Sequence, residues 1–408
     1  MASRTFLAFL TAYTLSQFYR SFLAVIAPDL ARELHMTAAD LGQMSAAWFF
    51  CFAVAQFPLG SALDGYGPRR VVPVFMAGGV LGALMFSLAQ TSLHLVIAMG
   101  LIGIGCAPAL MGAMYVFARE FPGSHFAFMS SMIIGLGSAG NLLGGSPLAY
   151  AAEAFGWRSV MAVFAILTGL SAVLVLTVVK DPPPAHTDAN RRSFVQALSE
   201  ILKIRALWPA WPLMALGYAF LIAERSLWAG PYYSQVFGLN AIERGHHILV
   251  MAVGVVIGAL AYGPLDQALH RSKHLVFTGS LITAGAFCAL SLVMPPRVWM
   301  ATAALFVVGA VGMTYAVLVG HIRLFFAADI VGRGITFANF LCMAAAGVIQ
   351  VISGHYVADL VGQGLPAIEV YARLHAMFGV FLVVATLIYA ATPSCPAAND
   401  RLIDQRTR

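Results

Sequence analysis

At 408 residues, with 60% hydrophobic and 10% charged side chains, the chain carries well under half of the roughly 25% charge expected of a soluble globular domain and is excluded from that class. Apolar runs recur along its whole length, and roughly 20 such residues cross a bilayer as a helix, so an all-α polytopic membrane protein with short loops is expected. A net charge of +6 would suit nucleic acid. No soluble basic domain is there to hold it, so the excess of Lys and Arg reports membrane topology instead. Cys51, Cys106, Cys288, Cys342 and Cys395 are scattered, without CxxC or metal-ligand spacing, and imply neither a disulfide framework nor a metal site.

In chain order, apolar patterning predicts twelve membrane segments. They lie near 5–30, 39–63, 70–90, 93–118, 126–153 and 157–179, then near 208–237, 245–268, 273–294, 298–322, 333–360 and 368–391. Residues 1–5 run straight into Phe6-Leu7-Ala8-Phe9-Leu10 without a small-residue cleavage site, so the first helix is expected to be retained. With the N-terminus inside, cytoplasmic segments collect Arg69, Arg70, Arg119, Lys180, Arg271, Lys273, Arg323 and Arg333 among others, against Arg32, Arg158, Arg244, Arg297 and Arg373 outside. That inside bias predicts an even number of spans with both termini cytoplasmic.

The one long polar interruption begins Lys180-Asp181-Pro182-Pro183-Pro184, whose prolines end the sixth segment and open an extended linker. Expected organisation is therefore a six-helix bundle over 1–180, a cytoplasmic linker over 181–206, a second bundle over 207–392 and a tail over 393–408. Within the linker, Phe194, Leu198, Ile201 and Leu202 oppose basic and polar positions, as in a short helix lying on the membrane face or a solvated linker helix.

Two stretches repeat. Tyr13 to Ser21 and Tyr218 to Ser226 both read Tyr-x6-Arg-Ser. Arg225 lies roughly 30 Å of helix from Arg205 and about 27 Å from Glu243; Arg20 lies about 13 Å from Asp29 and about 24 Å from Arg4. Arginines so placed are costly in hydrocarbon and mark functional sites. The segments 60–70 and 263–273 form a second pair, each with an arginine five residues after an aspartate, Asp64 with Arg69 and Asp266 with Arg271. Both matches at equivalent places indicate two copies of one six-helix unit.

Gly60, Asp64, Gly67, Arg69 and Arg70 fall in register with the Gly-x-Leu-x-Asp-Arg-x-Gly-Arg-Arg loop of the major facilitator superfamily (MFS), which the chain resembles. Ala62 and Gly65 replace the usual leucine and first arginine. Further likeness comes from Gly103-Ile104-Gly105, from Arg119-Glu120-Phe121-Pro122 and from Phe155-Gly156-Trp157-Arg158. The resemblance implies the MFS fold, twelve transmembrane helices in two pseudo-symmetric halves, a monomer, and a central cavity between helices one and seven. Met99 stands where many members have a proton-coupling arginine. Gly140-Asn141-Leu142-Leu143-Gly144-Gly145 lacks the proline of the antiporter motif; it is similar to the nitrate-porter signature, although that subfamily carries its paired arginines on helices two and eight.

Helical spacing groups Tyr13, Gln17 and Arg20 on one stripe and Tyr218, Arg225, Trp228 and Tyr232 on another. The resemblance sets these stripes across the cavity, where two guanidiniums suit a carboxylate or phosphate through forked hydrogen bonds. The ordinary alternative for each arginine is a structural ion pair or carbonyl clamp. Tyr115 and Tyr315 join the expected substrate-binding set through their polar tips, and Trp48 is a further aromatic near the stripes. Glu224, an acid deep in the predicted core, is the expected proton-coupling group, with structural pairing as its alternative. Asp64, Arg69, Arg70, Glu120 and Asp266 resemble the family's cytoplasmic latch, so a gating role is implied for them.

The expected function is a proton-coupled symporter of a small carboxylate-type organic anion, embedded in a bacterial-type inner membrane and working by alternating access. The alternatives are a proton-driven exporter of amphipathic compounds and, from another class, a membrane-embedded receptor or enzyme. No nucleophile–His–acid spacing, metal cluster or nucleotide loop favours an enzyme, and no cofactor is expected.

Overall fold

The computed structural model describes residues 2–120, 124–181, 194–269, 271–292, 297–326 and 330–395. No strand occurs among them. The N-terminal copy comprises α1 (Ala2–Phe18), α2 (Leu23–Glu33), α3 (Ala38–Tyr66), α4 (Pro68–Ser87), α5 (Ser92–Cys106), α6 (Pro108–Glu120), α7 (Ser124–Gly137), α8 (Ala139–Leu143) and α9 (Ser146–Val178). A linker helix, α10 (Phe194–Lys203), comes next. The second copy comprises α11 (Ala210–Ala223), a π-turn (Glu224–Trp228), α12 (Ala229–Phe237), α13 (Ala241–Leu269), α14 (Ser272–Leu292), α15 (Val298–Val311), α16 (Tyr315–Arg323), α17 (Val331–Gly362) and α18 (Ala367–Tyr389).

All twelve expected segments are helical. By length and composition, ten stretches among the described residues are long and apolar enough to cross a membrane, with 128–143 as a shorter apolar helix. Segments five and six run together as α9, divided at Gly156, whose φ of 76° lies outside the range L side chains favour. Several segments are interrupted, and the first and seventh are interrupted where the repeated motif lies.

The described chain packs as two compact units whose borders differ from those of the sequence repeat. Unit one is Met1–Thr187 with Ala223–Ala252 and Gly347–Val370; unit two is Asp188–Ile222, Val253–Ala346 and Tyr371–Arg408. In unit one, α4 lies along α5 and α9, α3 lies along α5, and α1 packs on α7, α8 and α9. Helix α2 packs on the π-turn and α12, so segments from both sequence copies share this unit. In unit two, α14 packs on α15 and α16. Phe378 contacts both Phe220 and Phe287 there, and buried His321 bonds the Tyr389 hydroxyl at 2.6 Å and the Pro393 carbonyl at 3.0 Å. The prolines 182–184 and residues 396–408 lie outside the described residues.

Candidate functional site

Both copies of Tyr-x6-Arg-Ser end in a helix irregularity. In the first, α1 stops at Phe18 and the chain makes a tighter turn, with Arg20 N bonded to the Gln17 carbonyl at 3.3 Å and Ser21 N to the Phe18 carbonyl at 2.9 Å. The Ser21 hydroxyl donates to the same two carbonyls, both at 3.3 Å. Such back-bonding competes with the helical ladder and bends it. In the second, Glu224–Trp228 forms a wider π-turn in which Ala229 N reaches back to the Glu224 carbonyl. Pro231, just beyond, has no N–H to give the Leu227 carbonyl and its ring crowds that oxygen, a local reason for the helix to loosen here. π-turns are rare and recur at functional sites.

Arg20, half-buried, sits in its break with its guanidinium 5.2 Å from the ring centres of both Trp48 and Phe52. Those rings stack on each other at 5.0 Å. Their faces supply a cation–π environment in place of a carboxylate, and Arg20 Nε has no hydrogen-bond partner among the described residues. Trp48 is one of the aromatics expected near the stripes; Phe52 is not, because an apolar ring in an apolar helix carries no sequence signal.

Arg225 is 2% exposed, and its Nη1 donates to Asn141 Oδ1 at 2.9 Å. Asn141 belongs to the Gly140–Gly145 motif, so that motif contributes a polar ligand to the arginine of the other sequence copy. Gly140 makes this placement possible. A Cβ there would meet the Thr14 carbonyl and come within 3.0 Å of Phe18 N, so α8 presses directly on the backbone of α1. Gly140→Val should push α8 off α1 and cost about 1–3 kcal/mol. A lowered midpoint in a thermal unfolding scan is the check, and an unchanged midpoint would mean that the contact contributes nothing.

Ser226, beside Arg225, accepts from Gln350 Nε2 at 2.8 Å, and Trp228 Nε1 donates to Ser353 Oγ at 2.9 Å. Both bonds tie the π-turn to α17 inside unit one. Glu224 is fully buried in the same turn. Its repeat mate Tyr19 instead bonds Thr168 Oγ1 at 3.0 Å and packs on Phe18, Phe22 and Phe164. Gln17 donates to the Tyr13 hydroxyl at 3.0 Å, so two members of the first expected stripe meet, and Arg20 leaves it by the turn.

The second expected stripe is not continuous. It presumes regular helix from Tyr218 to Tyr232, and the Glu224–Trp228 π-turn adds about one residue to the winding between them. Tyr218 belongs to unit two, where its ring lies 5.6 Å from that of Tyr315, whose hydroxyl donates to Asn339 Oδ1 at 3.2 Å. Arg225, Trp228 and Tyr232 belong to unit one. Tyr232 packs on Tyr233 and Phe237.

Tyr115 lies with the expected gating residues. Arg119 stacks 3.9 Å above its ring and reaches Asp64 at 3.7 Å. Arg69 approaches neither: its backbone N–H bonds Asp181 Oδ1 at 2.8 Å and its Nε the Leu176 carbonyl at 2.9 Å. Asp181 therefore caps α4, where a carboxylate complements the helix dipole; the acid ahead of the triple proline is its sequence signal. Arg70 is exposed and Asp266 half-buried, and the Glu120 side chain lies outside the described residues. Among the described residues no group of three or more His, Cys, Asp or Glu could hold a metal.

The family model of the Major Facilitator Superfamily matches residues 9–351. The chain belongs to that superfamily. Its relatives include the uncharacterized transporter YybO of Bacillus subtilis, 21% identical over 61% of each chain. The probable nitrate/nitrite transporter NarK2 of Mycobacterium tuberculosis is 22% identical over 95% of this chain and 94% of its own. The probable galactarate/D-glucarate transporter GudP of Bacillus subtilis is 23% identical over 67% of each. Among solved structures, that of a D-xylose-proton symporter superposes with a TM-score of 0.77 at 16% identity, covering 97% of this chain and 98% of that one. The protein is thus a multi-pass membrane transporter of the MFS fold, and not an enzyme.

Proposed function

We propose that this transporter carries a carboxylate-type organic anion across a bacterial inner membrane by alternating access, coupled to proton movement. The observation that carries the reading is that both repeat-related arginines lie at breaks in apolar helices, Arg20 over Trp48 and Phe52, and Arg225 on Asn141. Discontinuous helices present polar backbone and charge at depth, the arrangement by which transporters hold ions and substrates. Arg20, Arg225, Gln17, Tyr13, Trp228 and Tyr232, all of unit one, form the binding set in this reading. Glu224 is the coupling acid. Asp64, Arg119, Arg69 and Asp181, with Arg70, Glu120 and Asp266, hold the cytoplasmic ends, and both termini are cytoplasmic.

A second reading, an inorganic anion, is favoured by the near-full-length likeness to a probable nitrate/nitrite transporter and by the role of Asn141 in the Gly140–Gly145 motif. Proteoliposomes separate the two. Under an inward proton gradient, labelled D-glucarate should accumulate and labelled nitrate should not. Accumulation of nitrate alone would replace the first reading by the second, and accumulation of neither, with efflux of amphipathic dyes from cells, would overturn both.

A further inference from the structure

One end of unit one contains a cavity of about 670 Å³ whose walls include Asp29, Arg32, Glu33, Trp157, Asn240 and Arg244. Its charges are arranged unevenly. Glu33 is engaged by Trp157 Nε1 at 2.7 Å and by Arg158. Asp29 bridges two arginines, with Oδ1 accepting from Arg32 Nη2 at 2.7 Å and Oδ2 from Arg244 Nη2 at 3.2 Å. Arg244 is 4% exposed. Its Nη2 also approaches the Val25 carbonyl at 3.3 Å and its Nη1 the Leu239 carbonyl at 3.4 Å, while Nε has no partner among the described residues. Glu153 is the further acid in the wall, and it is exposed.

The Asp29–Arg244 pair joins α2 of the first sequence copy to α13 of the second. Beside it α2 meets α12 backbone to backbone. The Ala24 carbonyl, which loses its helical donor because residue 28 is proline, lies where any side chain at Gly230 would have to go. Such flat contacts separate without unthreading side chains. The ion pair is different, because a guanidinium this buried cannot readily be left without an anion.

We propose that this cavity is a carboxylate-receiving vestibule, in which a carboxylate from solution replaces Asp29 on Arg244, leaves Asp29 to Arg32 of its own helix, and thereby unties α2 from α13. Asp29 is thus a tethered occupant of the carboxylate site on Arg244. The tie then opens when an anion is present to take its place, so the end stays closed without substrate. The inference rests on the anion-transport reading for its purpose but not for its test.

The test uses the full chain, purified in detergent, with its five cysteines replaced by serine and Ser146→Cys as reporter. Ser146 is 7% exposed and packs against Gly245, next to Arg244. The rate of labelling by a polar maleimide is read in sodium acetate and in sodium chloride of equal ionic strength. Acetate should raise the rate about tenfold over chloride. Asp29→Asn should give the fast rate in chloride alone, and Arg244→Gln should abolish the acetate effect. An acetate rate equal to the chloride rate overturns the proposal, as does Asp29→Asn labelling as slowly as the parent. If Asp29→Asn does not purify as a monodisperse protein, the parent and Arg244→Gln are read alone, and an acetate rate equal to the chloride rate in the parent still overturns the proposal. No arm measures transport, so failure of the vestibule and failure of the substrate reading are distinguishable.

Discussion

Replacing Arg225 by glutamine should reduce D-glucarate uptake by two to three orders of magnitude, and Arg225→Lys should recover only part of that loss. The expectation rests on the chemistry of the guanidinium. Hydrogen bonds to a charged group contribute about 1.5–3 kcal/mol each, and a forked pair to one carboxylate combines two of them. Lysine keeps the charge but not the planar fork, and it cannot both hold Asn141 Oδ1 and present a second parallel donor in the same geometry. Substrate-dependent thermal stabilisation should vanish in Arg225→Gln and in Arg20→Gln. A purely structural arginine behaves differently: its loss lowers the melting temperature of the empty protein but leaves the ligand-induced shift intact. Survival of that shift in both variants would reduce the two arginines to structural parts.

Glu224→Gln should leave counterflow exchange of substrate intact while removing accumulation driven by a pH gradient. A proton moving down about two pH units supplies about 2.7 kcal/mol, enough for roughly 100-fold accumulation at one proton per substrate. Without the carboxyl group in the π-turn that accumulation should fall to near the equilibrium value, while exchange, which moves no net proton, continues. Glutamine is close in shape to the acid, so packing within the fully buried turn is retained. Unimpaired gradient-driven accumulation in Glu224→Gln would remove Glu224 from the coupling step, and loss of exchange as well would make it part of the binding set. The asymmetry with Tyr19 sharpens the test, since Tyr19 is engaged with Thr168 in the aromatic packing of unit one.

Much of this molecule is legible in the chain itself, for a simple reason: the bilayer makes hydrophobicity a direct reading of architecture. The twelve segments come from apolar length, because a backbone in hydrocarbon must satisfy its hydrogen bonds internally and helices do so locally. The repeat points to Arg20 and Arg225, since a charge is expensive in such a segment and its occurrence twice at matching positions is informative. The Gly140–Gly145 motif is visible too, although not its partner.

What tertiary structure decided was where regular winding fails and who meets whom. Neither the Tyr19–Phe22 turn nor the Glu224–Trp228 π-turn contains a glycine or proline, and Pro231 beyond the second is a local signal that by itself does not specify a π-turn. They arise from hydroxyl back-bonding, a downstream proline and the demands of packed neighbours. Tyr115 illustrates the consequence. Its ring lies under Arg119, one turn further along the same helix, and that arginine reaches Asp64 of α3, a pairing made by packing between helices far apart in sequence. Asn141 with Arg225, Asp181 with Arg69 and Asp29 with Arg244 are likewise pairings across long stretches of chain. The chain by itself determines which side chains can bear charge within a membrane, because transfer energies are local. The partner that stabilises each charge is decided by the fold, because Coulombic and hydrogen-bond energies act only over a few ångströms in space.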